Sequence, residues 1–302
     1  MQGQALIVIA GATGKLGHRV VRELRQRAVA VRAIVRPGTS EERLAPLREL
    51  GVTIVEVEIT AGPALVEACA GASCVVSTLL GLREVLIEAQ GTLLDAAVEA
   101  GVPRFIPSDY AMDFMKIKPG LNRNFDLHRE FQARLGRAPI RSTTILCGAF
   151  MDLLTGEAPL VLFKLHRVLY WGEEPEQRMD FTTMDDTAAF IAEAALDPDA
   201  PRVLRVAGEQ INARELARVA SEVTGKSFRT LRGGSLQRLA TIIRVTRALS
   251  PKGDAPFPVW QGMQYLYCMF EGSGLLTPLN NERYPGLRWT GVRAILQGAA
   301  AK

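Results

Sequence analysis

Short apolar runs alternate with amphipathic stretches through the first half of the chain. The runs typical of buried β-strands are ALIVIA (5–10), AVRAIV (30–35), TIVEVEI (53–59), CVVSTL (74–79), RFIP (104–107) and TTILCG (143–148). Stretches of helical periodicity lie between them, over 16–28, 41–50, 63–70, 83–100 and 124–136. Strands that alternate with helices through short connections predict an α/β protein with a doubly wound parallel sheet.

The pattern is less regular in the second half. Helical periods lie over 186–196, 212–224, 235–248 and 259–271, a short strand lies near 203–207, and a Pro-rich connection spans 249–258. We therefore predict a core over residues 1–150 and a smaller C-terminal lobe over residues 151–302. The strand near 203–207 could return to the core sheet.

The first strand runs directly into a glycine-spaced turn, GATGKLG, over residues 11–17. A strand, a tight turn and a helix start in this order form an anion site, because backbone N–H groups and the positive end of the helix face the turn. An ordinary Gly-rich loop is the alternative, but the flanking strand and helix favour a dinucleotide site. The residues of the predicted site are Gly11, Ala12, Thr13, Gly14, Lys15, Leu16 and Gly17.

The residue that follows the second strand predicts which dinucleotide binds. Sites for NAD carry an acidic residue there, which accepts hydrogen bonds from the ribose 2′-OH. This chain has Arg36 instead, and a guanidinium matches a 2′-phosphate. Lys15 adds a second positive charge, so we predict NADP(H). Thr78 and Leu79, which follow the fourth strand, are predicted to pass beneath the nicotinamide ribose.

Composition narrows the remaining classes of function. The 302 residues are 48% hydrophobic and carry a net charge of +4, with arginines dispersed among acidic residues, so nothing indicates nucleic acid binding. The spacing of the four cysteines predicts neither a disulfide framework nor a metal site. Because the first apolar segment is a short strand and no apolar run is long enough to span a bilayer, we expect a cytoplasmic protein without a membrane partner.

Several segments together resemble a known family. These are GATGKLG, Arg36, Gln90, AGVPRFIPSDYAMDF (100–114), NRNFDLHREF (122–131), VAGEQINARELARVASEVTGKSF (206–228) and WQGMQYLYCMFEGSG (260–274). In this order they resemble the NmrA-like branch of atypical short-chain dehydrogenases, which includes isoflavone-reductase-like enzymes and NADP-sensing regulators. The resemblance implies a Rossmann-type core, NADP(H) in the glycine turn and a substrate cleft roofed by the C-terminal lobe.

Carried over by position, the resemblance also implies which further residues line the cofactor. Gln90, Pro107 and Ser108 are expected there. The four residues after the sixth strand are expected near the nicotinamide; they are Cys147, Gly148, Ala149 and Phe150.

The chain departs from the family pattern at the expected proton donor. Reducing members resemble isoflavone reductase in having a lysine early in the helix after the PS[ED] segment, where this chain has FDLHREF and His128 is the nearest candidate. The Tyr-x-x-x-Lys pair of short-chain dehydrogenases is also missing. Our candidates for the catalytic donor are Ser108, Tyr110 and His128, while Asp109 is predicted to be a turn or capping residue instead of a base.

Two functions follow. In the first, the protein is an NADPH-dependent reductase that transfers a hydride to a carbonyl or conjugated C=C of a small, apolar or aromatic substrate. In the second, it senses NADP(H) without turnover and regulates a protein partner. The missing lysine favours the sensor, and the intact turn favours the enzyme. Aromatic residues of the C-terminal lobe fit either a core or a cleft wall. No motif indicates an oligomeric state.

Overall fold

The computed structural model describes residues 5–60, 62–156, 158–249 and 256–300, so residues 250–255 of the predicted Pro-rich connection lie outside the described part. The strands are β1 Leu6–Ala10, β2 Ala30–Val35, β3 Thr53–Glu56, β4 Cys74–Ser77, β5 Arg104–Ile106, β6 Arg141–Ser142, β7 Thr144–Leu146, β8 Ala149–Phe150, β9 Val161–Leu162, β10 Arg167–Trp171, β11 Met179–Thr182, β12 Val203–Arg205, β13 Glu209–Ile211 and β14 Arg229–Gly234. The α-helices are α1 Lys15–Gln26, α2 Glu41–Glu49, α3 Gly62–Cys69, α4 Gln90–Glu99, α5 Arg123–Leu135, α6 Met184–Leu196, α7 Ala213–Thr224, α8 Leu236–Leu249, α9 Val259–Glu271 and α10 Val292–Ala300.

The predicted doubly wound sheet is confirmed. Six strands lie in the order β3-β2-β1-β4-β5-β6, and the neighbouring strands are parallel. In the central strand β1, Ile7 faces Val31 on one side and Cys74 on the other. Ile7, Val8 and Ile9 are fully buried, as expected for a strand with helices on both faces of its sheet.

The sixth strand begins earlier than the apolar run predicts. Only Arg141–Ser142 joins the sheet as β6. The backbone N–H of Thr143 still donates to Phe105 O (3.1 Å), but that of Thr144 donates to Arg202 O (2.9 Å). The apolar run therefore changes partner after Thr143 and forms β7, which pairs with β12 in a separate two-stranded sheet. The strand predicted near 203–207 is this β12.

Helix α5 is anchored to the six-stranded sheet by aromatic packing. Phe131 is fully buried and belongs to the same core cluster as Phe105 of β5. The centroids of the two rings are 6.4 Å apart. Residue 128 lies about one helical turn before Phe131, so this contact also fixes the backbone that carries His128.

The chain divides into two compact units, each assembled from separate segments. The first comprises Met1–Tyr110, Leu127–Ile145 and Thr187–Leu204, and it contains the six-stranded sheet. The second comprises Ala111–Asp126, Leu146–Asp186 and Arg205–Lys302, and it contains two three-stranded sheets, β14-β10-β9 and β13-β11-β8. The predicted domains, by contrast, are continuous in sequence. Their border at residue 150 stays a prediction.

Replacing Gly262 with alanine is expected to stabilise the protein. Gly262 lies in α9, is exposed, and has nothing within 4 Å of the position that a Cβ would take. Alanine is favoured over glycine in a helix interior by roughly 0.8–1 kcal/mol. Thermal unfolding followed by circular dichroism should show a higher melting temperature, and a lower one would contradict this account of the site.

Candidate functional site

The turn after β1 leaves no room for side chains at two of its glycines. Gly11 has a φ of +87°, and a Cβ there would lie 2.8 Å from Thr78 O. A Cβ at Gly17 would lie 2.2 Å from Gly11 O and 2.6 Å from Thr78 Oγ1. The turn, the start of α1 and the end of β4 are therefore in direct contact, and glycine is required at both positions.

The first turn of α1 is open to an anion. Gly14 is the N-cap residue, no side chain caps the helix, and none of the first-turn residues is acidic. The N–H groups of a helix start need acceptors, and a phosphate supplies them while it also interacts favourably with the helix dipole. The absence of a side-chain cap and the close glycine contacts fit a pyrophosphate in this turn.

Two arginines lie on the loop and helix that follow β2. Arg36 is exposed, and no described residue bonds to its guanidinium, while its carbonyl accepts from Thr39 Oγ1 (2.6 Å). Arg43 on α2 donates from Nη2 to Thr13 Oγ1 (3.2 Å). Arg43 is therefore at the glycine turn itself. The sequence analysis missed it, although a second arginine seven residues after Arg36 was a usable signal.

The end of β4 joins the glycine turn to the segment after β5. Thr78 donates to Ala10 O from its backbone N–H (2.9 Å) and from Oγ1 (3.0 Å). The Tyr110 hydroxyl donates to Ser77 O (3.0 Å). The ends of β1, β4 and β5 are thereby tied together. Because this bond uses the Tyr110 hydroxyl proton, the residue is a poorer proton donor than the sequence predicts.

Gln90 supports the site from behind. It is fully buried, its Oε1 accepts from the backbone N–H of Ser108 (2.9 Å), and its Nε2 donates to Leu86 O (3.3 Å). Gln90 follows a π-helical segment, Glu84–Ala89, which is a widened turn of the kind often found at functional sites. In this conformation Gln90 fixes the Pro107–Ser108 backbone and is not exposed at the surface of the predicted cofactor site. Ala12 is also fully buried and is not exposed there.

His128 pairs with Asp109. The ring Nδ1 of His128 lies 2.8 Å from Asp109 Oδ1, Asp109 is fully buried, and His128 is 9% exposed. The backbone N–H of Asp109 does close a tight turn onto Pro107 O (2.9 Å). This agrees with the predicted turn, and the side chain has a further role, as the hydrogen-bond partner of His128. Nineteen residues separate the two partners, so no local pattern could reveal the pair.

Three more residues complete the surroundings of the Asp109 carboxylate. Gln132, one helical turn beyond His128, donates from Nε2 to Asp109 Oδ2 and to Thr144 Oγ1 (2.6 Å). Arg202 donates from Nη2 to Gln132 Oε1 (3.0 Å). A buried carboxylate is costly unless it is hydrogen-bonded, and here both of its oxygens have partners.

The residues predicted near the nicotinamide after the sixth strand belong to the second unit. The N–H groups of Cys147 and Gly148 both donate to Ala111 O (3.0 and 3.1 Å). A Cβ at Gly148 would lie 2.5 Å from Asp180 Cβ. Cys147 is fully buried, while Ala149 and Phe150 are partly exposed. Their assignment to the cofactor stays a prediction.

Most of the aromatic residues of α9 are packed inside the second unit. Trp260 and Phe270 are buried, and the Trp260 ring is covered by Arg123 (4.8 Å) and Arg247 (5.0 Å). Burial raises the pKa of Tyr265 to about 12. These residues lie mainly in the core, so they do not support a cleft wall for an aromatic substrate.

Cysteine chemistry is disfavoured. All four cysteines are described, buried and without a disulfide. Burial raises the pKa of Cys69 to about 11 and that of Cys74 and Cys268 to about 12, so these three thiols are poor nucleophiles near neutral pH.

Within the described residues, no group of His, Cys, Asp and Glu could hold a metal ion. Likewise, no described helix has the length and apolarity to cross a membrane.

The family model of the NmrA-like family matches residues 3–283. The chain belongs to the NmrA-like family. Pinoresinol reductase 1 of Arabidopsis thaliana is 27% identical over 74% of this chain and 75% of its own length. The photosystem II assembly factor Ycf39 of Synechocystis is 26% identical over 74% of this chain and 69% of its own length.

Solved structures share the fold of this NmrA-like protein. One is described as AtPrR2 with NADP+ and (+)pinoresinol; it has a TM-score of 0.83 and 22% identity, with 99% of this chain and all of that chain covered. The shared fold supports a Rossmann-type core.

Proposed function

We propose that this NmrA-like protein is an NADPH-dependent reductase that transfers a hydride to a carbonyl or conjugated C=C of a small, apolar or aromatic substrate. The observation that carries the proposal is the buried pairing of His128 with Asp109 (2.8 Å) beside strand ends that also form the glycine turn. An imidazole held by a carboxylate is a common arrangement for proton transfer. A binding turn alone would not need it.

NADP(H) fits the residues of the first unit. The glycine turn and the uncapped start of α1 suit the pyrophosphate, and Arg36 and Arg43 offer two guanidinium groups for the 2′-phosphate. We assign Thr78, Leu79, Pro107 and Ser108 to the same cofactor. The absence of disulfides is usual in a reducing compartment, which supports a cytoplasmic location.

The cofactor, when bound, supplies the hydride, and we assign delivery of the proton to a side chain of the protein. His128 is our candidate, since imidazole exchanges protons near neutral pH and the Tyr110 hydroxyl already donates to Ser77 O. Ser108 would hydrogen-bond to the substrate oxygen as negative charge develops there. The relative named pinoresinol reductase supports an aromatic substrate.

The proposal is tested by mixing the purified protein with NADPH and a panel of quinones, enones and aromatic ketones. Loss of the absorbance of reduced nicotinamide with at least one panel member is the expected result. Tight NADPH binding without reduction of any member would instead support the sensor.

Replacing His128 with alanine is expected to lower kcat by roughly 100-fold, which is the usual contribution of a general acid. The Kd of NADPH should stay within about twofold, because the proposed role of His128 is to donate a proton and not to bind the nucleotide. The His128→Lys variant should retain more activity than His128→Ala, because its ammonium can still donate a proton and pair with Asp109.

The Glu130→Gln variant is the matched control for the His128 variants. Glu130 lies on the same helix, is exposed and pairs with Arg83, so its replacement should leave turnover unchanged. Equal rates for the wild type and His128→Ala would remove His128 from the proposed reaction.

The second candidate is an NADP(H) sensor that regulates a protein partner. It is supported by the missing lysine early in α5, where this chain has FDLHREF, and by a relative that is named as an assembly factor. The substrate panel and the NADPH titration together separate this function from the reductase.

A further inference from the structure

The direction of each hydrogen bond behind His128 can be derived from Arg202. A guanidinium has donors and no acceptor. Since Arg202 Nη2 lies 3.0 Å from the Gln132 amide, that contact requires Gln132 Oε1 to face Arg202. The amide nitrogen of Gln132 must then face Asp109 Oδ2 and Thr144 Oγ1. The contact with Arg202 therefore determines the orientation of the Gln132 amide.

The position of the proton on the imidazole follows from the same hydrogen bonds. Asp109 accepts from Gln132 at Oδ2 and has Oδ1 2.8 Å from His128 Nδ1. A carboxylate oxygen only accepts, so Nδ1 must carry a proton. In the neutral ring, the lone pair is then on Nε2.

We infer that Asp109 is a positioning residue that holds His128 as the Nδ1–H tautomer, with Gln132 and Arg202 fixing the orientation of Asp109. This inference rests on the proposed reduction, in which protonated His128 gives the proton on Nε2 to the substrate oxygen. This proton would complete the reduction with the hydride that a bound NADPH would supply, and the ring would return to its Nδ1–H form.

Two charged side chains of this hydrogen-bond network come from outside helix α5. Asp109 follows β5, and Arg202 precedes β12. Helix α5 and strand β7 contribute the neutral side chains of Gln132 and Thr144. The Asp109 carboxylate lies 2.8 Å from Nδ1 of the ring, so we choose its replacement as the test.

The Asp109→Asn variant should reverse the tautomer. Because Gln132 presents its amide nitrogen, the new asparagine must turn its oxygen toward Gln132 and its NH2 group toward His128. Nδ1 then has to accept, and the ring becomes Nε2–H. His128 is then no longer held as the tautomer that the proposed proton transfer uses. We therefore expect kcat to fall by roughly 100-fold or more, with KM within about twofold.

The tautomer is read from the nitrogen chemical shifts of protein labelled with ¹⁵N-histidine at a pH where the rings are neutral. The chain has only three histidines, and the signal that the His128→Ala variant lacks identifies His128. The measurement needs no substrate. An Nε2–H ring in the wild type would overturn the inference, whether or not the Asp109→Asn variant folds.

A double variant tests the reasoning about bond direction. In Asp109→Asn/Gln132→Glu, the carboxylate is at residue 132 instead of residue 109, and the net charge is unchanged. The new glutamate accepts from Arg202 and from the asparagine NH2 group, so the asparagine oxygen faces His128 again. We expect the Nδ1–H tautomer to return, together with part of kcat.

The outcomes distinguish this inference from the proposed reduction. The Glu130→Gln variant makes the same change of charge near His128 and should leave the tautomer as in the wild type. Retention of Nδ1–H in Asp109→Asn would overturn the inference even if the enzyme reduces substrates. A reversed tautomer in a protein that reduces no panel member would uphold the positioning role and count against the reduction.

Discussion

Replacing Gly17 with alanine is expected to weaken NADPH binding at least 100-fold. The added Cβ would lie 2.2 Å from Gly11 O and 2.6 Å from Thr78 Oγ1. Neither atom is free to move, because Gly11 O accepts from the Gly14 N–H (2.9 Å) and Thr78 Oγ1 donates to Ala10 O (3.0 Å). Helix α1 must therefore shift away from β1, and its N–H groups leave the position at which they meet the pyrophosphate.

The binding of NADPH is followed by titration of its fluorescence. Gly262→Ala provides a matched control, since it makes the same change where a Cβ meets nothing within 4 Å and should leave the Kd unaltered. Circular dichroism establishes whether the Gly17→Ala variant keeps its helices and strands. A folded variant with a Kd within threefold of the wild type would show that the turn does not bind the nucleotide.

Replacing Arg36 with aspartate is expected to reverse the preference between the two nicotinamide cofactors. NADPH should lose about 100-fold in affinity, or about 2.7 kcal/mol, because a charge-assisted bond to the 2′-phosphate is replaced by repulsion. NADH should change little, since a carboxylate can accept hydrogen bonds from the ribose 2′-OH. Arg43→Ala should add a smaller loss for NADPH, because Arg43 lies at Thr13.

Arg141→Asp is the control for this charge reversal. Arg141 is exposed and begins β6, so it lies at the amino end of a parallel strand, whereas Arg36 follows the carboxyl end of β2. The two positions are thus at opposite ends of the parallel strands. Equal losses for NADPH and NADH in Arg36→Asp would refute the phosphate assignment, and a similar loss in Arg141→Asp would indicate only a long-range effect of charge.

The regular elements of the first unit could be predicted because their signals are local. A run such as LIVIA identifies a strand that is buried on both faces, and the period of α4 is clear within a few turns. Strands of two or three residues, such as β8 and β9, are too short to show a period, and the sequence analysis missed them. The change of partner after Thr143 depends on Arg202, which is distant in sequence.

The sequence by itself determined the parallel core, the glycine turn and the positive charge of Arg36, because each depends on residues that are neighbours along the chain. Only the tertiary structure joined Asp109 to His128, nineteen residues away, and Arg43 to Thr13, thirty residues away. It also showed that Asp109, predicted to be a turn residue, is the hydrogen-bond partner of His128. The physical reason is that parallel strands bring the loops at their carboxyl ends to one edge of the sheet, where side chains of unrelated segments complete each other's hydrogen bonds.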